Sequence, residues 1–356
     1  MPTTELKEEV AKPETTEETI KQQPKEEEVE EEEEAVVTNT PIADIPQYLK
    51  DKYKQTPIDY DEEQLEKFEL LRGFITSTEK FPVKEADAEN FMQEQELENM
   101  TLEALAPIEI KWLTEKCLYR YLRASKWALD VAKQRLVATI AWRREFGIVK
   151  LKEEVKDETE REKYLGFDDL SIENETGKQV LLGYDNELRP ILYLKHGRKN
   201  TDPSDRLIQH SIFMIERCID LLDEDLQEQM TIIIDFKKNY PDLEHLPKRK
   251  PAMHMGRKVQ AILQTHYPER LGKAYLFNIH WLAKAAFAVM SPFMDQKTRA
   301  KFNVDVSNIT KHIPKELLDK DYGGSLLFKY EHETYWPALE KITLEKRSEK
   351  YKDIDL

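Results

Sequence analysis

In the middle of the chain the apolar positions first follow a helical period. From Ile108 to Trp127 they recur at spacings of three and four residues, which predicts a helix. A second helical pattern covers Val131 to Trp142 and stops at Gly147, a residue that suits a helix C-terminus. Together the two patterns predict a small helical subdomain over residues 107–150.

Short apolar runs then alternate with amphipathic helices. The predicted strands are Gln179 to Tyr184, Pro190 to Lys195, Met230 to Phe236 and Lys273 to Ile279, and the predicted helices are Asp205 to Leu222 and Ala252 to His266. The third strand holds three consecutive isoleucines, as expected of a strand that is buried on both faces of a parallel sheet. Alternating strands and helices predict an α/β domain with crossover connections.

The two ends of the chain have a different pattern. Residues 1–40 contain fourteen Glu and four Lys with almost no large apolar side chains, which predicts a disordered acidic tail. Residues 41–106 mix short amphipathic pieces with prolines and predict short helices that wrap around the main body. Residues 331–356 predict a C-terminal helix.

The charge of the chain is concentrated in that tail. It carries −10 of the total of −16, so the remaining 316 residues carry only −6. A body that is mildly acidic and has no basic stripe argues against nucleic acid as a partner. Contact with a membrane would be mainly apolar, or would depend on a local basic patch.

The cysteines and the apolar runs indicate the compartment. Cys117 and Cys218 both lie in apolar helical patterns, which favours buried free thiols in a reducing cytosol over a disulfide. The N-terminus lacks the apolar core of a signal peptide, and no run reaches the ~20 apolar residues that span a bilayer. We therefore expect a cytoplasmic protein.

Common catalytic motifs are missing from the sequence. There is no glycine loop of a nucleotide-binding domain, no Gly-x-Ser-x-Gly elbow and no HExxH or paired-cysteine zinc motif. Asp235 ends an apolar strand, where a carboxylate more often orients a turn or pairs with a lysine such as Lys237 than acts in catalysis. The sequence thus predicts a protein that is not an enzyme and that needs no metal or cofactor.

The most unusual segment is HWLAKAAFAVMSPFM at residues 280–294. Eleven of the fourteen residues from Trp281 onward are apolar, so a helix here has almost no polar face. Such a helix is either buried in the core or exposed on its second face to lipid. Candidate hinges for a mobile helix lie at 278–280 and 303–308.

Polar residues flank this apolar segment. The helical pattern continues through DQKTRAKF, which places Thr298 and Lys301 on one face, and Glu269 lies in the YPER motif before the preceding strand. Glu269 and Lys301 either form an exposed ion pair or bind a polar head group above an acyl cavity. Exposed acyl chain costs ~0.8 kcal/mol per methylene, so a lipid carrier needs a lid that closes in transit.

Several blocks of the sequence resemble the CRAL-TRIO lipid-binding family. The stretch CLYRYLRASKWALDVAKQRLVATIAWRREFG is similar to its N-terminal helical module. The stretches ETGKQVLLGYDNELRPILYLKHGR, MTIIIDFK, THYPERLGKAYLFNIHWLAKAAFAVMSPFMDQKTRAKF and DYGG are similar to the lipid-binding domain of fungal phosphatidylinositol transfer proteins. Details such as NETGKQVLLGYDN and YWPAL resemble the branch linked to pleiotropic drug resistance.

The resemblance covers roughly residues 107–340 and implies a fold. That fold is an α/β lipid-binding domain, here residues 160–330, with an N-terminal helical subdomain and a mobile gate helix. The implied head-group residues are Glu269, Lys301, Thr298, Pro190 and Ser125. The implied gate-helix residues are Trp281, Phe287, Met290 and Phe293. In the LRASK segment, Ser125 replaces an arginine of the family prototype, although its hydroxyl can still donate to a phosphate.

The resemblance also implies a ligand preference. The prototype binds phosphatidylcholine through Tyr, Ser and Thr hydroxyls, and the matching positions here are aliphatic or Met. These implied cavity residues are Leu181, Leu192, Ile215, Met230, Ile232 and Leu263. A choline phosphate buried without those hydroxyls would leave polar groups unpaired, at a cost of several kcal/mol.

We therefore expect a phosphatidylinositol transfer protein with little or no phosphatidylcholine binding, in which phosphatidylinositol is cargo and not a cofactor. The alternative is a sterol or small-hydrophobe binding module with a vestigial inositol site. Membrane contact should be transient and peripheral, at the endoplasmic reticulum, lipid droplets or the cell periphery. The residues are compatible with lipid transfer and with presentation of lipid to a lipid kinase.

Overall fold

The N-terminal third of the protein is mostly helical. The computed structural model describes residues 37–247, 249, 253–281, 284–285 and 299–354. Its first elements are β1 (Val37–Thr38), α1 (Gln47–Lys52), α2 (Glu62–Ser77), β2 (Phe81–Pro82), α3 (Ala88–Met92), β3 (Leu102–Glu103), α4 (Pro107–Trp112), α5 (Glu115–Ala124) and α6 (Leu129–Phe146). Two short helices, α7 (Glu158–Arg161) and α8 (Phe167–Asn174), follow.

Helices α2, α5 and α6 share one apolar core. Its largest members are Phe68 and Leu71 from α2, Phe81 from β2, Tyr121 and Leu122 from α5, and Leu136 and Ile140 from α6. The segment 41–106 therefore contributes side chains from α2 and β2 to the core of the helical module. Burial of these side chains removes apolar surface from water, and each Å² of buried apolar surface stabilises the fold by roughly 25 cal/mol.

The helix predicted from Ile108 to Trp127 is in fact two helices, α4 and α5. The break occurs because Thr114 caps α5: its hydroxyl accepts a hydrogen bond from the Cys117 amide at 3.1 Å. Helix α6 ends as predicted at Gly147, which adopts the left-handed conformation with φ of 76°.

Five described strands form the central sheet. They lie in the order β4 (Gln179–Tyr184), β5 (Pro190–Lys195), β6 (Met230–Asp235), β7 (Leu271–Phe277) and β8 (Phe302–Asn303). Strand β4 is antiparallel to β5, and all the other neighbours are parallel. The predicted α/β architecture is confirmed, and β7 starts two residues earlier than expected.

Crossover helices connect the parallel strands. Helix α9 (Asp205–Asp220) joins β5 to β6, and α10 (Met253–His266) joins β6 to β7. Strand β9 (Leu327–Phe328) and helix α11 (His332–Lys350) complete the described elements. Residues from the sheet, α8, α9 and α11 form the main core of the protein.

Part of the segment predicted as a tail is ordered. Residues 1–36 lie outside the described part of the chain, but Val37 and Thr38 pair in parallel with Leu327 and Phe328. The backbone amide of Lys329 also donates to the carbonyl of Thr38 at 3.1 Å. Backbone pairing with β9 thus includes Val37 and Thr38 in the folded part of the protein, although both were predicted to belong to the tail.

Two further predictions concern single residues. Cys117 and Cys218 are buried free thiols, as expected. Asp235 orients the turn after β6: one of its oxygens accepts from the Lys237 amide at 2.8 Å, and the other accepts from the Tyr240 hydroxyl at 2.7 Å. The side chain of Lys237 lies over the Tyr240 ring instead of pairing with Asp235.

Across the described ranges we find no helix with the length and apolarity of a membrane span.

Candidate functional site

Three residues predicted to bind a head group lie at the amino ends of the parallel strands. Pro190 is the first residue of β5, Glu269 stands two residues before β7, and Lys301 immediately precedes β8. The Lys301 carbonyl accepts the Ala274 amide at 2.7 Å, which fixes the backbone of Lys301 beside β7. Parallel pairing thus places Pro190 and Glu269 at the amino end of the sheet, and it places Lys301 next to Ala274, halfway along β7.

The sequence around β7 explains how Glu269 is placed. Glu269 has a φ of 58°, in the left-handed region, which turns the chain sharply between α10 and β7. Three residues later Gly272 lies against the side chain of Arg189, where any added Cβ atom would collide with the guanidinium. The YPERLGK motif is therefore a tight turn with a close side-chain contact.

The carboxylate of Glu269 is held by the N-terminal module. Its Oε2 accepts a hydrogen bond from Arg123 Nε at 2.5 Å. The same guanidinium donates to the Tyr60 hydroxyl at 2.7 Å and to Glu228 Oε2 at 3.1 Å. Arg123 thereby links α5, the segment before α2 and the turn before β7 in one polar cluster, and 30% of the Glu269 side chain stays exposed.

Ser125 lies two residues after Arg123, at the end of α5. It is buried, and its hydroxyl has no hydrogen-bond partner in the described part of the protein. A buried hydroxyl without a partner is unusual because its desolvation is not compensated. The next two residues, Lys126 and Trp127, both have positive φ values, so the chain turns tightly beside this hydroxyl.

Several predicted site residues fall outside the described part of the chain. Thr298 and the gate-helix residues Phe287, Met290 and Phe293 are among them. Of the predicted gate helix, Trp281 is described, and 68% of its surface is exposed. The grouping of Thr298 with Glu269 and Lys301 remains a prediction.

The aliphatic residues predicted to line the cavity lie in and around the sheet. Strand register places Leu181, Leu192 and Ile232 side by side across β4, β5 and β6, and all three are buried. Ile215 and Met230 belong to the same core, and Leu263 of α10 packs against it. Contact between these side chains and a lipid remains a prediction. The strand register shows that Leu181, Leu192 and Ile232 form an unbroken aliphatic row across three strands.

A second aliphatic row continues toward the carboxyl ends of the strands. Leu194, Ile234 and Leu276 are aligned two residues beyond the first row and therefore face the same side of the sheet. Leu194 and Ile234 are only partly buried. In a strand, residues two positions apart face the same side of the sheet, and this spacing in the predicted strands identifies the second row from the sequence.

A large cavity opens at the carboxyl ends of β5 and β6. Its volume is about 1020 Å³, at the upper end of the range for ligand pockets. Residues that follow the two strands line it, among them His196, Lys199, Phe236 and Tyr240. A strand of six residues spans ~20 Å, so the cavity mouth and the Arg123 cluster lie at opposite ends of the sheet.

Comparison with known proteins agrees with this architecture. The CRAL/TRIO domain matches residues 174–324, and the CRAL/TRIO N-terminal domain matches residues 47–138. Phosphatidylinositol transfer protein PDR17 of Saccharomyces cerevisiae is 38% identical over 293 residues, which cover 82% of this chain and 79% of PDR17. A CRAL-TRIO domain-containing protein of Schizosaccharomyces pombe is 40% identical over 243 residues, which cover 68% of this chain but only 22% of that protein.

The fold also matches a solved structure. The crystal structure of Sfh5 aligns with a TM-score of 0.50 at 17% sequence identity, covering 84% of this chain and all of Sfh5. The two domain matches and the 38% identity to PDR17 show that the chain belongs to the CRAL-TRIO family, as its sequence predicts. Membership of this family also confirms the expectation that the protein is not an enzyme.

Proposed function

We propose that the protein binds one molecule of phosphatidylinositol and carries it between membranes. The observation that supports this proposal best is the polar cluster at the amino ends of the strands. It contains the partly exposed carboxylate of Glu269, and the buried, unpartnered hydroxyl of Ser125 lies two residues after Arg123 along the chain. An inositol ring offers hydroxyl donors to a carboxylate, and a serine hydroxyl donates to a phosphate.

The positions of the proposed head-group residues and of the cavity support one orientation of the lipid. The head group would lie beside Glu269 and Lys301, and the acyl chains would run along the aliphatic rows toward the cavity at the carboxyl ends. Each methylene removed from water contributes ~0.8 kcal/mol, so long acyl chains supply most of the binding energy. The PDR17 relative, named as a phosphatidylinositol transfer protein, supports the same ligand.

Phosphatidylcholine fits this site poorly. The row formed by Leu181, Leu192 and Ile232 offers no hydroxyl to a choline phosphate. The nearby Tyr335 hydroxyl is already used, since it accepts from the Leu181 amide at 2.7 Å and donates to the Leu181 carbonyl at 3.0 Å. The Tyr267 hydroxyl likewise donates to Glu216 at 2.6 Å. A buried choline phosphate would remain unpaired.

The test is to identify the lipid that copurifies with the protein and to measure exchange between vesicles. We expect mass spectrometry of the extract to find phosphatidylinositol, and labelled phosphatidylinositol to exchange much faster than labelled phosphatidylcholine. Equal exchange of the two lipids would contradict the proposed specificity. An extract that contains a sterol and no phosphatidylinositol would favour a hydrophobe-binding module in its place.

A further inference from the structure

Three lysines line the mouth of the cavity at the carboxyl ends of β5 and β6. They are Lys199, Lys237 and Lys238, and we refer to them as the basic collar. Lys237 and Lys238 directly follow Phe236 after β6 and are exposed, and Lys199 is half-buried beside the short turn after β5. The collar is at the end of the sheet opposite the Arg123 cluster.

The collar lysines differ from their basic neighbours in lacking acidic partners. Arg198 pairs with Asp242 at 2.5 Å, and Arg249 pairs with Asp202 at 2.7 Å. Among the residues that the structure describes, none of the three collar lysines forms an ion pair; the ammonium of Lys237 lies 4.9 Å from the centre of the Tyr240 ring. Their charge is therefore available to an external anion.

Exposed aromatic side chains lie at the same end of the sheet. Phe236 is 37% exposed, and its amide donates to the Phe277 carbonyl at 3.0 Å, which sets it beside the end of β7. Trp281 follows four residues after Phe277 and is 68% exposed. Aromatic rings beside lysines are typical of surfaces that enter the interface of a bilayer.

The local charge contrasts with the rest of the protein. The described residues that line the cavity include four basic side chains, those of Lys199, Lys237, Lys238 and Arg249, and one acidic side chain, that of Glu244, a formal net of +3, whereas residues 41–356 together carry −6. An acidic protein is repelled by an anionic membrane except where a local basic surface faces it. The contrast therefore favours one orientation of approach, with the cavity mouth toward the membrane.

We propose that the basic collar, together with Phe236 and Trp281, docks the cavity mouth on anionic phospholipid bilayers. This inference rests on the proposed function, because docking at the mouth gives the acyl chains a path between the cavity and the membrane. Each lysine near an anionic leaflet contributes about fivefold to the binding constant, and the effect weakens as salt rises.

The test is sedimentation of the full chain with vesicles that contain no phosphatidylinositol. Vesicles of phosphatidylcholine with phosphatidylserine are compared with vesicles of phosphatidylcholine alone. We expect strong binding to the first and weak binding to the second, and we expect added salt to reduce the difference. The variant Lys199→Gln/Lys237→Gln/Lys238→Gln should lose at least tenfold in affinity for the anionic vesicles.

A matched control removes three exposed lysines elsewhere, in Lys54→Gln/Lys80→Gln/Lys311→Gln. Lys311 lies at the other end of the sheet, where its carbonyl accepts from Asn186 in the β4–β5 turn. This control should bind anionic vesicles like the unmodified protein. The contribution of Trp281 to docking is tested by tryptophan fluorescence. The emission of the protein should shift to shorter wavelength on anionic vesicles, and the variant Trp281→Phe should lose most of that shift.

Three results would overturn the docking surface. They are equal binding to the two kinds of vesicle, equal losses in the collar and control variants, and an undiminished emission shift in Trp281→Phe. Mass spectrometry of the same preparations separates this inference from the proposed function. A lysine-dependent interaction with vesicles in a protein that carries no phosphatidylinositol would support the docking surface and contradict the choice of cargo.

Discussion

Arg123 Nε donates to Glu269 Oε2 at 2.5 Å, so a helix of the N-terminal module holds the carboxylate that the family resemblance assigns to the head group. The other two nitrogens of the guanidinium contact Tyr60 and Glu228, which fixes its orientation. A carboxylate oriented by its neighbours loses less rotational freedom when a ligand binds. We therefore regard Arg123 as a positioning residue for the proposed head-group site.

The first prediction follows from this role. Arg123→Gln should reduce the affinity for phosphatidylinositol about tenfold, because Glu269 loses a charge-assisted hydrogen bond of roughly 1.5–3 kcal/mol that orients it. Binding is measured by lipid exchange, and the melting temperature is measured in parallel. Arg72→Gln is the control, since Arg72 forms an exposed ion pair with Glu69 on α2. Partial rescue by Arg123→Lys is expected, and unchanged exchange in Arg123→Gln would refute the positioning role.

The second prediction concerns the head-group residues themselves. Glu269→Ala with Lys301→Ala should abolish phosphatidylinositol exchange and leave the protein folded, because both residues precede strands and contribute little to the core. The loss of two charge-assisted hydrogen bonds costs on the order of 3–6 kcal/mol, a hundredfold or more in affinity. Binding of a sterol, which has no phosphate, should hardly change.

The control for this pair is Glu63→Ala with Lys67→Ala, which removes an exposed ion pair of the same charges from α2. It should exchange phosphatidylinositol normally. Damage to the binding of both ligands in the site variant would indicate misfolding. Wild-type exchange would show that the head group binds elsewhere.

Sequence patterns predict four of the five described strands of the sheet and both crossover helices, but not β8, because the helical pattern of residues 295–302 continues through Phe302. Period-two and helical patterns are local, so β4 and β5 were predicted with their observed bounds. The Arg123–Glu269 contact was missed because it joins residues 146 positions apart in sequence. Only the tertiary fold brings α5 to the turn before β7. The break at Thr114 was missed for another reason: the apolar period continues across it, although threonine is a favoured N-cap residue and an acidic residue, here Glu115, is favoured in the first turn of a helix.

The third prediction is a loss of stability in acid that originates at Arg143 and Glu216. Their two hydrogen bonds, at 2.8 and 3.0 Å, join α6 to α9 in a buried position. Burial alone would raise the pKa of Glu216, but the attraction and hydrogen bonds of Arg143 and the hydroxyl of Tyr267 lower it to about 2 from 4.5. A carboxylate with a depressed pKa in the folded state stabilises the protein above pH 4.5, and this contribution is lost as the pH falls toward 2.

This contribution is on the order of a few kcal/mol, because the pKa of Glu216 in the folded protein lies well below its ordinary value. Denaturant unfolding between pH 7 and pH 2 should show the loss, and Glu216→Gln should flatten the profile. That variant should also be less stable by about 3–5 kcal/mol at pH 7, because it breaks a buried ion pair. A profile with the same slope in Glu216→Gln would assign the acid sensitivity to other groups.

The fourth prediction separates two truncations at the N-terminus. Removal of residues 1–36 should leave the melting temperature and lipid exchange almost unchanged, because this segment is rich in Glu and has few apolar side chains to bury. Removal of residues 1–40 should lower the melting temperature by a few degrees. It deletes β1, its pairing with Leu327 and Phe328, and the hydrogen bond from Lys329 to Thr38, each bond contributing about 0.5–1.5 kcal/mol.

Thermal unfolding of the two truncated proteins beside the full chain measures the difference. Equal melting temperatures for the two truncations would mean that β1 adds nothing to stability, and a large drop in the shorter truncation would mean that residues 1–36 make contacts that their composition does not predict.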